Sequence, residues 1–257
     1  MSYLRAGSLK NLCISTLCAL IVLPIAARAE RLVGSNMDSR MMVALNVEPG
    51  EVQKWLPDVW KARNIPKGPL AGANLFLVFI DRMLHLSADG KPAAGGSYRM
   101  AALVAPANNP DTGENALVVL RVYTPHDDKG PYGNSLKAKV SRRALLDSDQ
   151  SLTGQGSENW AVEMSNGGAL TFSADYEHAV PKKVKHDSKL YSSVKPAFYR
   201  IYRYEQLINV MPAAGKSKLK TYNFKSSIEE LKNLFNGREK VVGVAVIPWY
   251  VRQTLLP

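Results

Sequence analysis

An amine turns nucleophilic at neutral pH when burial or a second cation lowers its pKa, so closely spaced lysines are the first chemistry to seek here. Two pairs qualify, Lys137/Lys139 and Lys182/Lys183. The first follows a turn-rich loop, Pro125 to Asn134, on a strand-like run from Leu136 to Leu145. Side chains alternate along a strand, so Lys137, Lys139 and Ser141 share one face, with the two lysines roughly 6.5–7 Å apart. If that face lines a desolvated interior, Lys137 can form a Schiff base with a carbonyl compound while Lys139 lowers its pKa. The competing reading is two exposed lysines beside Arg142 and Arg143. The second pair sits in the polar run Lys182 to Lys189, which reads as a solvated loop or a lysine-protected edge strand. Polar anchors for a carbonyl or carboxylate ligand would be Arg121, Tyr132 and Arg200.

Other chemistries fit less well. The four imidazoles, His85, His126, His178 and His186, follow no compact metal-ligand spacing, and adjacent Asp127 and Asp128 diverge on a turn. No Gly-x-Ser-x-Gly elbow occurs, and the glycines at 154, 156, 167 and 168 lie in turns, not between a strand and a helix. No metal and no cofactor is therefore expected.

The elements that must hold these groups are mostly strands. Met41 to Val47, Asn74 to Asp81, Tyr98 to Ala105, Ala116 to Thr124, Phe198 to Val210 and Val241 to Ile247 are β-branched or aromatic runs bounded by turn residues. Trp160 to Met164 and Ala169 to Tyr176 form a hairpin across Asn166-Gly167-Gly168. Pro49 opens a short helix over Glu51 to Leu56, with Trp55 and Trp60 as core residues. Ser227-Ile228-Glu229-Glu230 has capping-box spacing, and Ile228, Leu231, Leu234 and Phe235 form an apolar stripe, which predicts a second helix over Ile228 to Asn236. Residues 30 to 40 read as a lead, and Pro248 to Pro257 as a tail. About ten strands and two short helices predict a mainly β (α+β) fold, an antiparallel sheet closed into a barrel.

Met1 to Ala29 reads as a secretory signal peptide: Arg5 and Lys10, an apolar run from Leu12 to Ala26, then Ala27-Arg28-Ala29. Both cysteines, Cys13 and Cys18, would leave with it, so the domain from 30 to 257 would fold without a disulfide in the periplasm or outside the cell. Arg5, Lys10 and Arg28 are charges of this segment, so its loss lowers the net charge from +11 to +8. Export argues against nucleic acid as a partner. The remaining basicity suits weak contact with anionic envelope surfaces.

The order of elements resembles the acetoacetate decarboxylase-like family. The similar features are the run from Val47 through Pro49-Gly50 to Trp55-Leu56-Pro57, then Asn74 to Asp81, then Gly130-Pro131-Tyr132-Gly133-Asn134-Ser135-Leu136-Lys137. The Asn166-Gly167-Gly168 hairpin and the strand from Tyr199 to Gln206 complete them, so the resemblance spans about Met41 to Val210. It implies a conical or barrel-like antiparallel sheet around a cavity, and a Schiff-base lysine followed directly by a second lysine in a Gly-Phe-Pro-Lys-Lys context. Here Gly133-Asn134-Ser135-Leu136-Lys137-Ala138-Lys139 stands at that place, without the Phe-Pro and with the lysines separated. That departure leaves three functions open: a related lyase on a keto acid, a hydrolase-like enzyme, or a non-catalytic binder of a small carbonyl or carboxylate compound.

Overall fold

The computed structural model describes residues 29–150, 153–215 and 217–257. The signal-peptide expectation falls almost wholly outside these residues. Twelve strands form one sheet: β1 (Arg31–Asn46), β2 (Lys61–Ala62), β3 (Leu75–Ser87), β4 (Tyr98–Asn108), β5 (Asn115–Thr124) and β6 (Ser135–Ser148), then β7 (Gly154–Met164), β8 (Ala169–His178), β9 (Lys182–Ser192), β10 (Tyr199–Pro212), β11 (Leu219–Ser226) and β12 (Lys240–Leu256). Their order is β11-β8-β7-β6-β5-β9-β10-β12-β1-β3-β4-β2, with β4 also pairing to β5. That extra pairing brings the path β5-β9-β10-β12-β1-β3-β4 back to β5, so these strands close on themselves. Most neighbours are antiparallel, but β5 runs parallel to both β6 and β9, over three residue pairs each.

Alternation along each strand sorts the apolar residues into two cores. Phe76, Ala102, Val104, Val119, Val122, Tyr132 and Tyr202 pack inside the ring of strands. Their neighbours in sequence, such as Leu77, Phe79, Leu103 and Leu120, point outward and meet Trp160, Val162, Leu170 and Phe172 from the β6-β7-β8-β11 meander. Phe79 stacks on Trp160 with centroids 5.2 Å apart. The chain is thus a closed ring of strands with a second layer of sheet on its outer side.

The hairpin between β7 and β8 turns at Asn166-Gly167-Gly168 as the sequence indicates. The Met164 N–H donates to the Gly168 carbonyl at 2.8 Å, and Gly167 takes a φ of +92°, where a side chain would be strained.

The helix expectations need correction. The first shrinks to α1 (Pro49–Gln53), a little over one turn. The second is absent as a helix: a single 3-10 turn, Glu229–Leu231, stands within 228–236. Ile228, Leu231, Leu234 and Phe235 are all buried as their spacing indicates. The cap is not available, because the Ser227 hydroxyl accepts from the Ala169 N–H of β8 at 3.0 Å. Glu230 is drawn onto the sheet, accepting from Arg121 and from the Tyr123 hydroxyl at 2.9 Å. Tertiary bonds thus replace the local ones that a helix needs.

Both ends of the described chain also differ from the sequence reading. The lead is the first half of β1, and the tail is the second half of β12. They pair with each other from Arg31↔Leu256 to Asp38↔Tyr250 and are central strands of the ring.

Candidate functional site

The ring encloses a cavity of about 510 Å³ at one end. Its wall is polar for a protein interior, with Arg82, Arg200, Arg252, His85, His126 and Tyr202 among the lining residues. They come from β3, β10, β12 and the loop after β5. On β1, Asn36, Asp38 and Arg40 alternate inward; on β10, Arg200, Tyr202 and Tyr204 do so; on β12, Tyr250 and Arg252.

Asp38 anchors the charged part of this wall. It is wholly buried. Its Oδ2 accepts from Asn36 Nδ2 at 2.6 Å and from Arg40 Nη2 at 2.5 Å, and its Oδ1 lies 4.0 Å from Arg82 Nε. Asn36 passes the network on, accepting from Arg252 Nε at 2.9 Å. Burial alone would raise the Asp38 carboxyl, but Arg40, Arg252 and Arg82 outweigh it and hold the group below its usual value. Burial pulls Arg82 in the opposite direction, below the ordinary guanidinium value.

Three guanidinium groups, Arg40, Arg82 and Arg252, thus stand around one buried carboxylate, and a fourth, Arg200, lines the same cavity. Asp128 is the acid among the lining residues, exposed at the rim, where it accepts from the Gly130 N–H at 3.1 Å. Aromatic rings absorb part of the excess positive charge. Arg40 lies 3.4 Å from the centroid of Tyr250, and Arg252 lies 3.8 Å from that of Tyr202. The guanidinium of Arg82 donates to the Tyr98 hydroxyl at 2.5 Å. Even so, Arg82 Nε and Arg200 Nε are buried without a hydrogen-bond partner. Among the described residues no carboxylate pairs with Arg200.

Two phenols meet between these arginines. The Tyr132 hydroxyl donates to Tyr202 at 2.7 Å. Burial raises Tyr132, whereas on Tyr202 the same burial is outweighed by Arg252, the bond from Tyr132, and Arg200. Tyr132 is therefore the less acidic hydroxyl of the pair and Tyr202 the more acidic one. His85 at the mouth is lowered by burial and by Arg82 and Arg252, so it is held neutral near pH 7.

Of the residues named from sequence, Tyr132 and Arg200 line this cavity and Arg121 does not. Arg121 points outward, donating to both Glu230 oxygens, at 3.1 and 2.6 Å, and lying over Trp55. The cause is a β-bulge. Leu103 pairs with Arg121 but Val104 with Val119, so Leu120 is an extra residue that switches the inward positions from 117 and 119 to 122 and 124. Arg121 instead clamps the Ser227–Phe235 segment to the outside of β5.

The lysines also lie elsewhere. The parallel pairing of β6 with β5 covers only Val122↔Ser135 to Thr124↔Lys137, and from Ala138 the strand leaves the ring to pair with β7. Ser135 consequently faces the cavity, while Lys137 sits beyond the rim with a side chain 57 % exposed, bonded to Asp127 at 2.7 Å. Lys139 is 74 % exposed and bonded to Glu163 at 3.0 Å. Both border an outer groove, and neither is a cavity-facing amine. Lys182 and Lys183 belong to β9, where Lys183 and Lys185 share Glu205 on the neighbouring strand.

Sequence reasoning missed Asp38, Arg40, Arg82 and Arg252. A signal existed in the polar alternation of Asn36-x-Asp38-x-Arg40 and Tyr250-x-Arg252-x-Thr254, which is unusual for frayed ends and normal for strands with a functional face.

No protein-family model matches the chain and no curated protein matches it in sequence. Solved structures match the architecture. The enduracididine biosynthesis enzyme MppR, in complex with pyruvate, aligns over 90% of this chain and 91% of its own, at TM-score 0.57 and 12% identity. Acetoacetate decarboxylase from Legionella pneumophila aligns over 99% and 98% at TM-score 0.51 and 12% identity. An acetoacetate decarboxylase-like enzyme from Sphingomonas wittichii RW1 aligns over 88% and 91% at TM-score 0.52 and 13% identity. The chain has the acetoacetate decarboxylase-like fold.

Proposed function

We propose that this protein binds a small carboxylate, of the keto-acid class, non-covalently in the cavity of its ring. The observation that carries this reading is a cavity wall that holds Arg82, Arg200 and Arg252, in which the Nε atoms of Arg82 and Arg200 have no hydrogen-bond partner and no carboxylate of the described residues pairs with Arg200. Withdrawing a guanidinium from water is costly unless it is paired, and a ligand carboxylate on Arg200 and Arg252 would offset that cost. Pyruvate held by MppR is a ligand of this class in the same fold.

The lyase alternative draws support from the fold alone. A Schiff base needs an amine in contact with the ligand carbonyl, and no lysine is among the described residues that line the cavity. Isothermal titration with pyruvate and acetoacetate, followed by borohydride reduction and peptide mapping, separates the two. Saturable binding without a lysine adduct is expected, with Lys137→Ala binding as wild type does; a reduced adduct at Lys137 would overturn the non-covalent reading.

Export completes the proposal: cleavage after Ala29 yields a periplasmic or secreted protein. Intact mass of the protein from an extracytoplasmic fraction is expected to correspond to a chain starting at Glu30, and a mass retaining Met1 would count against it.

A further inference from the structure

The polar cavity does not end at the arginines. A second space of about 260 Å³ continues from it along the inside of the ring, and the two share Arg82, Met100, Val122, Tyr132, Tyr202 and Arg252 as common walls. Its far walls are apolar: Phe76, Ala102, Val104, Val119, Leu190 and Ile247 are among them. The sequence accounts for this. Inward positions of β3, β4 and β5 carry apolar residues at one end of the ring, and charged or polar ones at the other, as in Phe76, Val78 and Ile80 followed by Arg82.

Pyruvate or acetoacetate would use the arginines and leave the apolar space to other atoms. We propose that the natural ligand is an amphipathic carboxylate, with its acid group on Arg200 and Arg252 and a linear alkyl or aryl tail lying among Phe76, Ala102, Val104 and Val119. This inference rests on the carboxylate-binding reading above and extends it to a substrate class. The tail has about six to ten carbons, scaling from an apolar cavity of about 150 Å³ that holds benzene. Tyr132 and Tyr202 line both spaces, so the bond between their hydroxyls lies where head and tail meet. Ala102 matters by its smallness: it faces the apolar space from β4, where a larger side chain would occupy the tail's volume.

The test is a length series on the full protein: isothermal titration with the sodium salts of acetic, butyric, hexanoic, octanoic and decanoic acids, all below their micelle concentrations. The expected result is a dissociation constant that falls about fourfold per added methylene and then levels off, with the plateau reached at shorter acids in Ala102→Leu. Acetate and hexanoate binding with equal affinity would overturn the amphipathic ligand while leaving the carboxylate site in place. A length dependence identical in wild type and Ala102→Leu would also overturn it, since the tail would then lie elsewhere. No binding by any acid of the series would remove the carboxylate site and this inference together.

Discussion

Arg200→Gln is expected to weaken binding of pyruvate or hexanoate by about 10- to 150-fold, the loss of one or two charge-assisted hydrogen bonds. Arg200 lines the cavity, its Nε is buried without a partner, and no carboxylate of the described residues holds it. Its charge is therefore free for a ligand, and its removal takes no ion-pair partner from the fold. Thermal stability of Arg200→Gln should accordingly equal or exceed that of the wild type. Arg252→Gln should weaken binding as well, but at a cost in stability, because Arg252 donates to Asn36 and lies over Tyr202. Titration calorimetry paired with thermal denaturation distinguishes the two. Unchanged affinity in a folded Arg200→Gln would show that the ligand does not engage this guanidinium.

Asp38→Asn is expected to destabilise the fold by about 3–5 kcal/mol, the cost of removing one partner from a buried ion pair. The amide keeps the shape of the side chain and loses the charge that Arg40, Arg82 and Arg252 surround. The effect has a defined pH course. The Asp38 carboxyl is held below its ordinary value of 3.8, so its contribution is complete above that value and disappears as pH falls through the lower folded value. Urea denaturation between pH 7 and pH 2 should therefore show the wild type and Asp38→Asn converging toward the acid end. A constant gap between them across that range would rule out the ionised carboxylate as its source.

Local chemistry made much of the frame readable in the chain. Asn166-Gly167-Gly168 needs a left-handed position that glycine supplies cheaply, so the β7–β8 hairpin follows from three residues. Val, Leu and Tyr in β5, and the aromatic run of β10, announce strands because such side chains suit a pleated buried surface. Tyr132 and Arg200 came from the same reading: one in the loop joining two strands, the other at an inward position of a strand whose polar residues alternate. The type of element and the general place of the site are properties of short segments.

Which side of a strand faces the cavity is not such a property. One extra residue reverses every inward and outward position beyond it. Such shifts occur in β5 before Arg121, in β3 between Arg82 and Leu84, and in β12 between Ile247 and Tyr250, where Pro248 has no N–H to give to a neighbour. The first turned Arg121 outward, and the last brought Arg252 to the centre of the ring. The short parallel pairing of β6 likewise placed Ser135 inside and Lys137 beyond the rim. Asp38 and Arg252 are more than two hundred residues apart, in segments that read as a lead and a tail. By itself the sequence determined the strands, the turns and a basic character without a preferred place. Ring closure between β4 and β5, and the pairing of β1 with β12, decided which of those charges lost their water and faced one another around a single carboxylate.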